Sequence, residues 1–180
     1  MTSRMHRSIL VSIVWSSGLL LPLLATAQQP CLKQAWDAYN AKKYAAAIQA
    51  ADDCIDQFAA HAQRDEADLV RNKTPQPKTG VVTETDKQAI FARGVLNDTG
   101  AAYFVKGRSA EYLAKQGAQG TQEKYLAIAR EAYEKWKTLT YARTFDPQGW
   151  FWSTTEACND RLTAIGPPLA STAAPQSKGK

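Results

Sequence analysis

Residues suited to catalysis are scarce in this sequence. It has two histidines, His6 and His61, and neither stands in an H-E-x-x-H pattern. No C-x-x-C or G-x-S-x-G occurs, and Gly117-Ala118-Gln119-Gly120 is not followed by Lys-Ser or Lys-Thr. Those gaps remove the sequence case for a zinc hydrolase, a thiol oxidoreductase, a serine hydrolase or a phosphate loop. Asp52, Asp53 and Asp56 form an acidic cluster, and helical spacing puts Asp52 and Asp56 on an exposed face. There they have no cleft to drive their pKa values apart, and too few ligands for calcium. No catalytic residue, metal ligand or cofactor is expected.

Long apolar runs are also lacking. The longest, Ile9 to Leu24, is broken by Ser16, Ser17, Gly18 and Pro22, and a membrane span needs ~20 apolar residues. Arg4 and Arg7 precede it with no acid between, and Ala25-Thr26-Ala27 places small residues at −3 and −1. The pattern predicts a secretory signal peptide over 1–27, cleaved after Ala27. No integral membrane segment is expected after its removal, and the location is periplasmic or secreted.

Charge of one sign is not in excess. There are 22 basic and 17 acidic residues. Taking away Arg4 and Arg7 leaves 20 against 17, a net of +3. So small a charge makes no case for nucleic acid.

Cysteine is sparse, at three. Export places them in an oxidising compartment, and an odd number leaves one over. Leu32, Ala35, Trp36 and Tyr39 share one helical face, as do Tyr44, Ala47, Ile48, Ala51, Ile55 and Phe58. These read as a first hairpin over 31–60 turning at Lys42-Lys43. Cys31 and Cys54 are equally far from that turn, so they stand at one height on an antiparallel hairpin. That geometry favours a Cys31–Cys54 disulfide; a buried free thiol, or Cys54 joined to Cys158, are the alternatives.

The segment AWDAYNAKKYAAAIQAADDCI resembles a tetratricopeptide repeat (TPR). Ala35, Tyr39, Tyr44, Ala47, Ala51 and Cys54 match the small or aromatic crossing positions between its two helices. It departs from the family in lacking the turn Gly, where Lys42-Lys43 stands, and the closing Pro. GVLNDTGAAYFVKG followed by YARTFDPQGWFW is similar to a pattern among exported bacterial TPR proteins. The resemblance implies an all-α fold: antiparallel helix hairpins of an α-solenoid with a C-terminal capping helix. It also implies a concave surface for a protein or peptide, and no reaction.

Between the repeat-like stretches, 71–84 reads as a loop, punctuated by Pro75, Pro77 and Gly80. A second helical unit is expected over 86–139. Thr85 and Gln88 have capping-box spacing for its first helix, and Asn97 or Asp98 can cap the next. That helix carries two apolar sectors, one through Ala101, Val105 and Leu113, the other through Tyr103, Gly107 and Ala110. It reads as sandwiched between neighbours, with Gly107 permitting a close approach. Gly117 and Gly120 make the turn into Gln122–Leu139. On the outer face of this helix, Arg130–Glu134 and Glu131–Lys135 are i,i+4 pairs. Asp146-Pro147 is read as an N-cap and first helical residue, starting a capping helix over 146–165. Its expected buried stripe holds Trp150, Phe151, Ala157, Cys158, Leu162 and Ile165. Residues 166–180 read as a disordered tail.

The binding candidates are Tyr103, Lys106, Arg108, Tyr141 and Trp152. Lys106 and Arg108 flank the apolar sectors of their helix, with heads free to meet a carboxylate. Trp152 projects among Thr155, Glu156, Asn159 and Thr163. Either a loop covers it, Thr140–Phe145 or the Pro-containing insertion, or it is shown to a partner. The favoured function is a non-catalytic adaptor for a protein, a peptide or a second copy of the chain. A glycan-acting envelope enzyme or its accessory is one alternative. A subunit that self-associates, through Cys158 for instance, is another.

Overall fold

A computed structural model describes residues 29–167. The expected signal peptide, and the tail from residue 168 on, lie outside the described residues. What is described is broadly all-α, with six helices and one small two-stranded sheet. Among the described residues, no helix is long and apolar enough to cross a membrane.

Helix α1 (Pro30–Asn40) has Pro near its first position, where a missing N–H costs no hydrogen bond. Its chain turns at Lys42, which takes a left-handed φ of 58°, the conformation that the absent Gly would adopt freely. Helix α2 (Tyr44–Arg71) follows antiparallel and continues past the expected end of the hairpin at residue 60, through Ala59–Val70, which can extend the same helix. Its buried residues Tyr44, Ala47, Ala51, Cys54, Ala62 and Glu66 recur at intervals of three, four or twice four positions, one helical stripe. The disulfide joins Cys31 to Cys54, with 5.4 Å between Cα atoms, and Cys158 is left free and buried.

Helix α3 (Glu84–Phe91) is capped two residues before Thr85. Thr83 Oγ1 accepts from the Asp86 N–H at 3.2 Å and donates to Asp86 Oδ2 at 2.7 Å. Helix α4 (Gly94–Gln116) starts at Gly94 rather than at Asn97 or Asp98. Those two side chains bond to neighbouring segments instead, Asn97 to Ile90 and Arg143, and Asp98 to Gln29. Helix α4 is the centre of the fold: it packs between α2 and α5 (Gln119–Trp136) and also meets α1, α3, β1 and α6. That matches its two apolar sectors. Gly107 lies against the ring of Tyr133 on α5. Gly120 falls inside α5 rather than in the turn.

The expected capping helix over 146–165 is shorter than its reading. Strands β1 (Arg143–Asp146) and β2 (Trp150–Ser153) form an antiparallel hairpin, and only then does α6 (Thr154–Ile165) begin. Asp146 is therefore not a helix cap. Its carbonyl accepts from the Gly149 N–H and its carboxylate from the Gln148 N–H, both at 2.8 Å. Gly149 has φ 100°, so Pro147-Gln148-Gly149 is a three-residue hairpin loop with Gly at the left-handed position. The true cap of α6 is Ser153, whose Oγ accepts from the Glu156 N–H. Trp150, placed by the helical reading on a buried stripe, stands exposed on the strand. On α5, Arg130 does not pair with Glu134; it donates to the Gly166 carbonyl at 2.9 Å, closing the end of α6.

The long connection from α2 to α3 is tied down along one side of the hairpin. Tyr141 Oη donates to the Thr74 carbonyl at 2.5 Å, and the Gly80 backbone forms a bridge to Phe151. Arg143 supports it from beneath: its Nε and Nη2 donate to the Pro77 carbonyl at 3.1 and 2.6 Å.

Candidate functional site

Among the described residues, a groove of about 880 Å³ opens between α1, α4 and the β-hairpin. Helix α1 forms one wall, through Leu32, Trp36, Asp37 and Asn40. The amino-terminal half of α4 forms the floor, through Gly94, Asn97, Asp98, Ala101 and Phe104. Strands β1 and β2 and their loop form the other wall.

Aromatic rings dominate its surface. Phe104 lies 5.9 Å from Trp36 and 5.1 Å from Trp152. Trp152 is held edge-on against the buried Trp136, at 5.8 Å and 87°. A second set gathers at the hairpin end: Phe151 is 5.5 Å from Phe91 and 5.1 Å from Phe145. Lys87 Nζ lies 5.9 Å from the ring centres of Phe91 and Phe145, within cation–π range. Phe91 and Phe145 remain exposed at the mouth.

Polar groups occupy the floor and lips. Asp98 Oδ2 accepts the Gln29 N–H at 3.0 Å. Burial raises the Asp98 carboxyl pKa above its ordinary value, and that hydrogen bond offsets the rise only in part. Asn97 spans two neighbours: its Nδ2 donates to the Ile90 carbonyl at 2.7 Å and its Oδ1 accepts from the Arg143 N–H at 2.8 Å. Asp37 is ion-paired with Lys33 at 2.6 Å. Arg143, though charged, offers little to a ligand. Carbonyls of Pro77, Thr140 and Ala142 surround its guanidinium.

Of the five binding candidates from the sequence, Trp152 lines this groove. It is half-buried and packed on Phe104 and Trp136, so it is both a core edge and a groove wall. Tyr103 and Tyr141 are buried. Tyr103 belongs to the core that also holds Tyr133 and Trp136, and Tyr141 holds the α2–α3 connection. Lys106 and Arg108 do meet carboxylates, but those of their own chain. Lys106 Nζ pairs with Asp52 at 2.7 Å, and Arg108 Nη1 with Glu111 at 3.0 Å. Asp52 accordingly faces α4 rather than standing on an outer acidic surface.

Glu111 is the other polar centre. It is buried on α4 and accepts from Tyr133 Oη at 2.5 Å and from Arg161 Nε at 2.9 Å. Burial alone would raise its carboxyl pKa. The bonds from Arg161 and Tyr133, with the charges of Arg108 and Arg161, outweigh burial and hold it below the ordinary value. Burial, then the hydrogen bond to Glu111 and the Glu111 charge, raise the Tyr133 phenol, and the charges of Arg108 and Arg161 offset this only in part. The cluster joins α4, α5 and α6 and has no cavity beside it in the groove's lining. Cys158 is fully buried, and burial pushes its thiol up to about 12. A disulfide between copies through Cys158, one of the self-association ideas, would require the core to open. Among the described residues, no group of three or more His, Cys, Asp or Glu is placed to hold a metal ion.

No protein-family model, curated protein or solved structure matches this chain.

The sequence reading missed Trp36, Phe91, Phe104, Phe145 and Asp98 as groove residues. Trp36 and Phe91 were visible as apolar-face residues, and Asp98 as a possible cap. Nothing local in the sequence says that α1 and a β-hairpin stand on opposite sides of α4.

Proposed function

We propose that the chain is a non-catalytic, TPR-like adaptor that holds a peptide segment of another protein in the groove between α1, α4 and the β-hairpin. The observation that carries this reading is the groove's surface. Trp36, Phe91, Phe104, Phe145 and Trp152 supply rigid aromatic area, the residue class that dominates interface hot spots. Its carboxylates already have partners in the protein: Lys33 for Asp37, Gln29 for Asp98, Gln148 for Asp146. That favours binding over acid–base work. Helix hairpins packed around α4, and the two sequence resemblances, are consistent with a solenoid fragment. The disulfide is compatible with a periplasmic or secreted location, as the expected signal peptide also suggests.

A photo-crosslinking residue at Asp37, on the groove lip, tests the reading in envelope extract. The same group at Glu123, on the outer side of α5, serves as control. The adaptor reading expects a protein product from position 37 that Trp152→Ala diminishes. Products from position 123 only, with none from 37, would show that the groove is not the binding face.

One observation favours a second reading. Asp98 is a carboxyl of raised pKa, walled by aromatic rings, as a general acid acting on a glycan would be. Release of reducing ends from cell-wall glycan, lost in Asp98→Asn, would replace the adaptor by an envelope enzyme.

A further inference from the structure

The groove has a strand edge along one lip. In an antiparallel ladder, residue pairs alternate. One pair exchanges both hydrogen bonds, and the next points its N–H and C=O groups outward. The Phe151 N–H donates to the Gly80 carbonyl at 2.9 Å, and its carbonyl accepts from the Gly80 N–H at 2.6 Å. The Phe151 backbone therefore faces away from β1. Its cross-strand partner is Phe145, so Phe145 must direct its own N–H and C=O away from β2, onto the outer edge of β1.

That edge meets the groove. Two residues earlier along it, the Arg143 N–H donates to Asn97 Oδ1, and both Asn97 and Phe145 line the groove. Arg143 is thus satisfied by a side chain and Phe151 by Gly80. Among the described residues, the Phe145 backbone N–H and C=O have no such partner. An open strand edge is a template for another strand, and main-chain pairing with pockets for alternate side chains is an established way to hold a peptide.

We infer that β1 accepts an extended peptide segment by strand addition at Phe145, and that this segment alternates apolar and basic residues. The inference rests on the peptide-adaptor reading and specifies its ligand. Alternate side chains of the added strand fall on opposite faces: apolar ones on the face of Phe145 meet the rings of Phe145 and Phe91, and the others fall on the face that Asp146 shares with Trp152. The basic side chains answer the charge balance of the lining. Lys33 is neutralised by Asp37, and carbonyls enclose the Arg143 guanidinium. Asp98 and Asp146 accept only backbone N–H groups, from Gln29 and Gln148, and neither has a cationic partner among the described residues. A Lys or Arg on the incoming strand supplies one, and the flanking rings favour the same cation.

The test uses the folded chain with its disulfide intact and three capped peptides. The first alternates Val and Lys, the second is the same peptide with alternate backbone nitrogens methylated, and the third alternates Val and Glu. Calorimetry gives affinity, and tryptophan fluorescence reports contact with the groove. The variants are Phe145→Pro, which deletes the N–H at an edge position that tolerates Pro, and Phe145→Leu, which keeps it. Strand addition expects the Val–Lys peptide to bind with a fluorescence change. N-methylation and Phe145→Pro should each weaken it about tenfold or more, since each removes ladder hydrogen bonds. Phe145→Leu keeps the N–H but gives up the ring, so it should weaken binding clearly less than Phe145→Pro, and Val–Glu should bind more weakly than Val–Lys. If Phe145→Pro does not fold, the methylated peptide alone decides. Equal binding of methylated and unmethylated peptides would overturn strand addition and leave the groove reading standing. Equal binding of Val–Glu would overturn the basic ligand class. Failure of every peptide to bind up to about 1 mM would overturn both the inference and the peptide reading beneath it.

Discussion

Gly107 on α4 lies beneath the ring of Tyr133 on α5: a Cβ at Gly107 would stand 2.6 Å from Tyr133 Cζ. The ring cannot readily yield, because it is fully buried and its hydroxyl donates to Glu111. The α4–α5 contact thus depends on one missing methyl group and one buried carboxylate.

Gly107→Ala should therefore destabilise the fold. Alanine gains about 1 kcal/mol of helix propensity over Gly, and overpacking a filled core costs about 1–3 kcal/mol. The expected outcome is a net loss of about 1 kcal/mol in denaturant unfolding. Gly107→Ala combined with Tyr133→Leu should lose less than the two single losses added together, since the clash is then relieved. Strict additivity would show that the two residues do not share the site.

Glu111→Gln removes the charge that Arg108 and Arg161 surround. Breaking a buried pair from one side costs about 3–5 kcal/mol. The lower end is expected here, because the Arg161 side chain is 31% exposed. The wild type should also carry an acid limb. The Glu111 carboxyl is held below its ordinary value of 4.5 in the fold, so its contribution is complete above that value. It is lost as pH falls through the lower folded pKa. Stability measured from pH 6 downward should fall more steeply in the wild type than in Glu111→Gln.

The cysteines should behave oppositely. Replacing Cys31 and Cys54 by Ser opens a loop spanning 23 positions, at a cost of about 3 kcal/mol in the chain-entropy model. Reductant should reproduce that loss in the wild type and have no effect on the double variant. Cys158, with its thiol pushed up to about 12, should resist alkylation at pH 8 until the chain unfolds. Rapid labelling of the native protein would show that Cys158 is accessible.

Trp152→Ala should affect both stability and binding. The ring contacts Phe104 and Trp136 but is half-exposed to the groove. A loss of about 2 kcal/mol is expected, below the 3–5 kcal/mol of a fully buried Trp. Trp152→Phe should recover most of the stability and only part of any groove affinity. A stability change near zero would mean that the ring does not pack as described.

The sequence determined the helical class, the first hairpin, the sandwiched α4 and the close approach at Gly107, because each is a short-range periodic pattern or a pair of positions related by one turn. It also carried a hairpin signal that a helical reading overrode. Phe145 and Phe151 are paired across Asp146-Pro147-Gln148-Gly149-Trp150, whose Asp-Pro start fits a helix amino terminus as well as a turn. The Gly three residues after Asp146 favours the turn, since only Gly takes the left-handed position without strain. Partnership over distance was not legible at all. Lys106 and Arg108 have the look of surface cations, and only the packing of α2 and α6 against α4 supplies Asp52 and a counterpart cation for the Glu111 site. The groove is of the same kind. Its rings come from α1, α3, α4 and both strands, and no periodicity within one segment records which other segment will stand across from it. That depends on how the buried faces of α4 orient all its neighbours at once, which is a property of the tertiary structure.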